Sequence, residues 1–460
     1  MGERVRLLVV ADDLTGANDT AVSFAAVGYD TLLLLSPSGL GRDAAHPAEV
    51  VAVTSDARAG GAAARGLTAT AVRQGRSAGR DRLYLKVDST MRGSVAEQIA
   101  GALDAWTEPY PDAVAVICSA YPGTGRTVTD GVLKVAGVDV DRTPSGRDPV
   151  CPVTTPRLAE LLPGSVVLPN PGDAARLAAL IRDAGVRQVV VDAATQHDLA
   201  VIAEAVDVLG PAAIPVGSAG LSKEVASRLP APAAGRAPHP VPIPARRSTL
   251  VVVSSRHRVS RQQVDDYLRS PSGRAALVLA PDPEGSRFPA SQRLAPAAGH
   301  PESPPPGLPE LSPTEALPPA LAVHADLPDL PDLPDLADLP DLAPGSVVVL
   351  RAEGDEVLSG DDRRARAAAY AQHLASVAAI VVRRLDVGSL VLVGGDGARA
   401  TLAALGADRL RVADAIAEGV PLCTVAGGEH DGLVVVTKSG GFGGAELLTT
   451  IMKRLQGGRS

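Results

Sequence analysis

The sequence predicts an α/β protein with two domains, each a mostly parallel sheet flanked by helices. Three observations carry this expectation. The chain has 460 residues, more than one ordinary core accommodates. Hydrophobic residues make up 45% but aromatic residues only 2%, so packing rests on Val, Leu, Ile and Ala, the usual filling of a sheet covered on both faces. Short apolar runs also alternate with Ala-rich helical patterns along most of the chain.

In order, RLLVVAD, TLLLLS, VVAVTS, RLYLKVD, AVAVICSA, SVVLPN and QVVVDA read as strands buried on both faces. Helical patterns between them, at Ala59 to Arg73, Ser94 to Trp106, Asp173 to Ala184 and His197 to Leu209, complete β-α units and imply parallel pairing. Spaced prolines at 231–247 forbid helix and mark a domain linker. The second domain opens with TLVVVSS, the turn RHRVSRQQ and a helix near Val264 to Ser270. A proline-rich insertion at 281–345 follows, ending in a three-residue beat that matches neither helix nor strand, so a solvated, disordered or polyproline conformation is expected. SVVVLRA and a helix from Asp361 to Val382 resume the fold.

Composition excludes several classes. A net charge of −8 without a Lys/Arg block leaves no broad footprint for nucleic acid. Cys118, Cys151 and Cys423 are far apart and lack C-x-x-C spacing, against a disulfide frame or zinc site. Histidines show no metal spacing, no metal-binding residues are expected, and no G-x-S-x-G elbow supports hydrolysis. No apolar stretch reaches the roughly 18 residues of a membrane span or resembles a secretory leader, so a cytoplasmic protein without membrane partners is expected.

Two segments point to phosphate. LVVVTKSGGFGGAELL, Leu433 to Leu448, runs from a strand through four glycines in five residues toward a helix. LVLVGGDGARATLAAL, Leu390 to Leu405, repeats strand, glycine turn and helix. Glycines let backbone N–H groups approach an anion, and a following helix adds its positive end. Each loop alone also reads as a tight strand-to-helix turn; the pair suggests a nucleotide.

Four further segments carry polar chemistry. ADDLTGANDT places Asp12 and Asp13 at a strand's carboxyl end, where α/β proteins hold ligands; one could be a general base or a metal partner, or one could simply cap the next helix. KVDSTMRGS packs Lys86, Asp88, Ser89, Thr90 and Arg92 into seven residues, a pattern suited to a hydroxy acid, with a surface ion-pair cluster as the plainer reading. SAYPGTGRTVTDG offers Arg126 as a second anion clamp or an ordinary loop arginine. VGSAGL puts Ser218 at a helix cap, as a substrate loop or a structural turn.

Together, ADDLTGANDT, KVDSTMRGS, PGTGRTVTDG, GSAGL, GGDGARATLAALG and TKSGGFGG resemble the four-carbon acid sugar kinase family of D-threonate, D-erythronate and 3-oxo-tetronate kinases, in order and along the chain outside the insertion. The resemblance implies a sugar-acid domain at 1–230, a nucleotide-binding domain at 248–460 and ATP-dependent transfer to the acid's terminal hydroxyl. It implies that Asp12, Asp13, Lys86, Asp88, Ser89 and Arg92 face the acid, with Arg126 as an added clamp. Ser255, Gly394, Gly395, Asp396, Gly397, Gly440 and Gly441 would line ATP with Mg²⁺, and Asp12 or Asp13 would be the catalytic base. Closure at the linker would unite the halves. KVDSTMRGS is more similar to the threonate or erythronate branch. Gly397 stands where the family usually has Thr or Ser, and Ser254-Ser255 where it usually has Gly-Ser. A homo-oligomer is compatible with all of this. Two other readings use parts of the pattern. A nucleotide-dependent oxidoreductase would need G-x-G-x-x-G where the first strand meets ADDLTG. A non-catalytic sugar-acid or nucleotide-binding protein would not need paired phosphate cradles.

Overall fold

A computed structural model of the chain describes residues 5–42, 48–148, 150–232, 241–244, 247–270, 273, 277–279, 345–351 and 363–457. The proline-rich insertion, apart from Gly345, and most of the linker lie outside the described residues.

The chain divides into two compact units, Met1–Val241 with Asp408–Asp431, and Pro242–Ala407 with Gly432–Ser460. The first opens with β1 (Leu7–Ala11), α1 (Leu14–Ala25), β2 (Thr31–Leu34), α2 (Ser38–Arg42), β3 (Val50–Thr54), α3 (Ala63–Ser77), β4 (Arg82–Lys86), α4 (Val95–Trp106) and β5 (Val114–Cys118). Three short strands follow, β6 (Arg126–Thr129), β7 (Val132–Val135) and β8 (Val138–Asp139). Then come α5 (Leu158–Leu161), β9 (Val166–Leu168), α6 (Ala174–Asp183), β10 (Gln188–Val191), α7 (Gln196–Leu209), β11 (Ala213–Gly217) and α8 (Ala219–Arg228). The second unit begins with β12 (Ser248–Val253), α9 (Arg258–Arg269), β13 (Leu277–Leu279), β14 (Val347–Arg351), α10 (Arg363–Arg384), β15 (Val387–Val393) and α11 (Gly395–Ala404). The hairpin β16 (Arg409–Ala417) and β17 (Val420–Val425) returns to the first unit, and β18 (Val434–Lys438) and α12 (Leu447–Leu455) complete the second.

The α/β class with mostly parallel sheets is what the apolar runs predict. In the first unit the strands lie in the order β17-β16-β2-β3-β1-β4-β11-β5-β10-β9, parallel from β2 to β9. In the second the order is β13-β14-β12-β15-β18, parallel throughout. Every residue of β1, β3, β11, β15 and β18 is buried, as continuous Val/Leu runs require. Each fully buried Leu or Val contributes roughly 1.5–3 kcal/mol, so these central strands anchor whatever their ends carry.

Three elements depart from the expectations. The helix placed near Val264 starts at Arg258, because the His257 Nδ1 accepts the Val259 N–H and caps it where a turn was expected. Arg126, assigned to a loop, begins β6 of a small antiparallel sheet with β7 and β8. The hairpin β16-β17, not foreseen, pairs antiparallel with β2 and is tied down by Arg411 on Asp30 and by Lys223 Nζ on Glu418 at 2.7 Å. Among the described residues no helix is long and apolar enough to cross a membrane.

Candidate functional site

In the first unit β1 lies between β3 and β4, so the connections leaving its carboxyl end diverge and open a crevice. Asp12 and Asp13 follow β1, and Lys86 ends β4 in register with Ala11. Asp13 takes the plainer role the sequence allowed: as N-cap of α1, its Oδ1 accepts the Gly16 N–H at 2.6 Å. Its other oxygen accepts Arg58 Nη1 at 2.6 Å.

Arg58, which the motif reading missed, organises the cluster. Its Nε and Nη2 donate to the two oxygens of Asp12 at 2.7 and 3.0 Å, and Nη2 lies 3.5 Å from Asp88 Oδ1. One planar fork thus serves three carboxylates, a task suited to guanidinium and not to an ammonium. Burial works against Arg58's charge, but Asp12, Asp13 and Asp88 outweigh it and hold the group firmly protonated. Burial raises the Asp12 carboxyl above its ordinary value, against the pull of Arg58. The only signal for Arg58 was its place just after a strand end, in TSDARAG, which no spacing rule distinguishes from a loop arginine.

Asp88 holds the KVDSTMRGS loop together. Its Oδ2 accepts the Thr90 and Arg92 N–H groups, the Thr90 hydroxyl and Arg92 Nε, and its Oδ1 accepts Arg92 Nη2 at 2.8 Å. Burial alone would raise this carboxyl, yet Arg58 and Arg92 hold it far below the usual range. The turn requires Met91 at φ +62°, an unusual conformation for a bulky residue. A Cβ at Gly93 would stand 2.1 Å from the Arg58 carbonyl, so only glycine lets this loop lie against the segment bearing Arg58. Arg92 also binds Asp148 at 2.9 Å, which leaves it paired with two acids. The Ser89 hydroxyl is unbonded among the described residues.

Two cations stay open to a ligand. Lys86 is buried, donates to the Val87 carbonyl at 2.8 Å and forms no ion pair among the described residues. A Cβ at Gly16 would stand 2.8 Å from Asp13 Oδ1 and 3.2 Å from Lys86 Nζ, so a small gap separates acid from amine. Arg126 gives Nη1 to the Thr124 carbonyl at 2.6 Å, its buried Nε has no partner among the described residues, and burial lowers its pKa. Ser218 serves as a cap, accepting the Gly220 N–H and donating to the Ala120 carbonyl at 2.6 Å.

In the second unit β12 lies between β14 and β15, a second divergence point. The Ser254 and Ser255 amides both donate to the Val393 carbonyl, drawing the β12 loop across the end of β15. Gly394, at φ +111°, is the N-cap of α11 and supplies no capping side chain. Among the described residues the first-turn amides at Gly395, Asp396 and Gly397 have no protein acceptor and can receive a phosphate. Asp396 is exposed in that turn. Ser254 accounts for Gly397: a Cβ at 397 would stand 2.1 Å from Ser254 Oγ, so the side chain over this turn comes from the facing strand.

The loop after β18 differs from its sequence reading. Helix α12 begins at Leu447, beyond the last glycine, Gly444, so Gly440 and Gly441 are not part of its first turn. Instead α9 holds the loop, Ser260 donating to the Gly440 carbonyl and Gln263 Nε2 to those of Phe442, Gly443 and Gly444. A Cβ at Gly440 would stand 1.9 Å from Ser255 Oγ, so glycine permits the β12 and β18 loops to touch. Among the described residues no group of three His, Cys, Asp or Glu side chains could hold a metal ion.

Comparison with known proteins finds two family models in succession along the chain. The family model for a sugar-binding N-terminal domain matches residues 7–225, and that for a nucleotide-binding C-terminal domain matches residues 337–448. A D-threonate kinase of Bordetella bronchiseptica is 37% identical over 444 residues, covering 96% of this chain and 95% of that protein. A D-threonate kinase of Salmonella typhimurium is 28% identical over 455 residues, covering 95% and 96%. A crystal structure of a Haemophilus influenzae protein shares the fold, with a TM-score of 0.68 at 19% identity over 98% of this chain and 100% of that one. With near-complete coverage at 37% identity and both domain models matched in order, the chain belongs to the four-carbon acid sugar kinase family.

Proposed function

We propose that the protein phosphorylates the terminal hydroxyl of a four-carbon sugar acid using ATP, with D-threonate as the preferred acceptor and D-erythronate or 3-oxo-tetronate as weaker ones. The preference follows the two D-threonate kinases that align over nearly the whole chain. The observation that carries the reading is the Arg58 cluster, three carboxylates gathered beside two cations that form no ion pair among the described residues.

The open cations, Lys86 and Arg126, bind the substrate carboxylate, and Ser89 contacts a hydroxyl. Arg92, engaged by Asp88 and Asp148, positions the loop. Asp13 is the base: its side chain is 28% exposed while that of Asp12 is fully buried, so only Asp13 can reach a substrate proton. Asp12 holds Arg58, which keeps Asp13 oriented. In the second unit the amides of Gly395, Asp396 and Gly397 and the loop at Gly440 and Gly441 receive the phosphates, with Ser255 beside them. Mg²⁺ bound with ATP would be held by phosphate oxygens and the exposed Asp396 carboxylate in the first turn of α11, and would neutralise phosphate charge. Transfer then needs little beyond in-line alignment, charge neutralisation and exclusion of water.

A coupled ADP-release assay over the stereoisomers of threonate, erythronate and 3-oxo-tetronate tests the proposal. Turnover with one or more of these acids is expected, highest with D-threonate. No ADP release with any of them overturns it.

A further inference from the structure

The loop after β18 poses a chemical problem that the glycines leave unsolved. The neighbouring loop at Gly394 has the amides and positive end of α11 directly behind it, whereas Gly440 and Gly441 precede α12 by several residues. Its positive charge comes from a side chain. Lys438, the last residue of β18, is 2% exposed. Its Nζ donates to the Ser439 carbonyl at 2.8 Å and lies 3.4 Å from that of Gly440. No carboxylate pairs with it among the described residues.

A lysine ammonium removed from water without a counter-charge is costly. Replacing it with an apolar side chain of similar length would remove that cost, so its presence calls for an anion. Its position specifies which one. Val393 and Lys438 are in register on adjacent strands, and the Gly394 N–H donates to the Lys438 carbonyl at 2.9 Å. The ammonium therefore sits at the root of both glycine loops, while a carbonyl pair fixes its direction and leaves a third N–H for a ligand oxygen.

We infer that Lys438 recognises the terminal phosphoryl group of a bound nucleoside triphosphate and so distinguishes the triphosphate from the diphosphate product. This rests on the nucleotide site proposed above and adds to it a residue outside the glycine pattern. The amides of α11 hold the phosphates nearer the nucleoside, and the Lys438 charge meets the group that moves.

Burial pushes the Lys438 amine down to about 8 in the free protein. The charged groups on the surrounding segments are Arg256, His257, Arg258, Arg261, Asp265, Asp266 and Arg269 on the β12 loop and α9, Asp396 and Arg399 on α11, and Glu446, Lys453 and Arg454 before and on α12; burial is the sole cause of the shift. A terminal phosphate, with its second pKa near about 6, is fully ionised well below that value. Loss of triphosphate affinity above pH 8 therefore reports the lysine.

The test is calorimetric titration of the full chain with ATP, ADP and AMP in Mg²⁺ between pH 7 and 9, for wild type, Lys438→Met and Lys438→Arg. Wild type is expected to prefer ATP, with the preference shrinking above pH 8. Lys438→Met should lose about 10- to 100-fold in ATP affinity, the worth of a charge-assisted hydrogen bond, with ADP changed less than about threefold. It should also lose the pH dependence, without lowering the melting temperature of the free protein. Lys438→Arg should keep most of the preference and carry it unchanged past pH 8, since guanidinium does not titrate there. If Lys438→Met weakens ATP and ADP equally and melts earlier, or binds ATP as wild type does, the assignment fails while the nucleotide site stands. If wild type binds none of the three nucleotides, both fail.

Discussion

Each unit ends a buried strand with a lysine beside a divergence point, and the two lysines live in opposite surroundings. Lys86 and Lys438 both donate to the carbonyl of the next residue at 2.8 Å. Lys86 shares its crevice with carboxylates; its charge acts on Asp12 and Asp19. Lys438 lies beside the glycine loop and forms no ion pair with an acid among the described residues. Under the proposed function the first unit would build recognition from side chains, fixing hydroxyls and a carboxylate by paired charges, and the second from backbone, using amides and one cation for a polyanion of fixed shape. A small polyol acid varies in stereochemistry, so its pocket needs many directed side chains; a triphosphate does not.

The largest effect should come from removing the first unit's organiser. Arg58→Ala leaves Asp12 buried without its partner, and breaking such a pair costs about 3–5 kcal/mol. Thermal or denaturant unfolding should show that loss, and an unchanged transition would mean that the three acids do not depend on Arg58. Next is the base. Asp13→Asn keeps an N-cap of equal quality but removes the charge, so turnover should fall about 10²- to 10⁴-fold with folding intact. Asp12→Asn should instead lower stability together with activity. Full turnover in Asp13→Asn would remove it from the chemistry.

The second unit should respond through space rather than charge. Gly397→Ala puts a methyl 2.1 Å from Ser254 Oγ and should cost about 1–3 kcal/mol with a matching loss of nucleotide affinity. Ser254→Gly in the same chain should recover most of it. Additive losses in the double variant would show that the two positions do not share that space.

The smallest effect concerns acid. Asp88 is held well below its ordinary value of 3.8, so the native state binds fewer protons there than the unfolded chain. Its stabilising contribution is complete above that value and is lost as pH falls toward the native pKa. Melting temperature should therefore decline below about pH 4, and Asp88→Asn should shift the whole profile down while making that decline shallower. An equal slope in both proteins would assign the acid sensitivity to other groups.

Much of this was legible in the chain. Short continuous Val/Leu runs between turn signals read as strands covered on both faces, and glycines between strand and helix mark turns whose backbone amides can approach a ligand. Asp12, Asp13, Lys86, Asp88 and Arg92 could be named because they crowd at strand ends, where diverging connections leave a crevice. Their division of labour was not legible. Whether Arg92 or Arg126 is open depends on Asp148, which lies 56 residues from Arg92 and beyond any periodic rule.

By itself, then, the sequence determined the α/β class and the segments that carry the sites, because burial periodicity and glycine placement are local properties. Only the tertiary structure decided that Arg58 joins three acids, that Ser254 fills the space above Gly397, that Asp408–Asp431 belongs with the first unit, and that Lys438 is buried without a counter-charge among the described residues. Those facts arise from contacts between residues tens to hundreds of positions apart, where distance and desolvation, not spacing along the chain, set the energy.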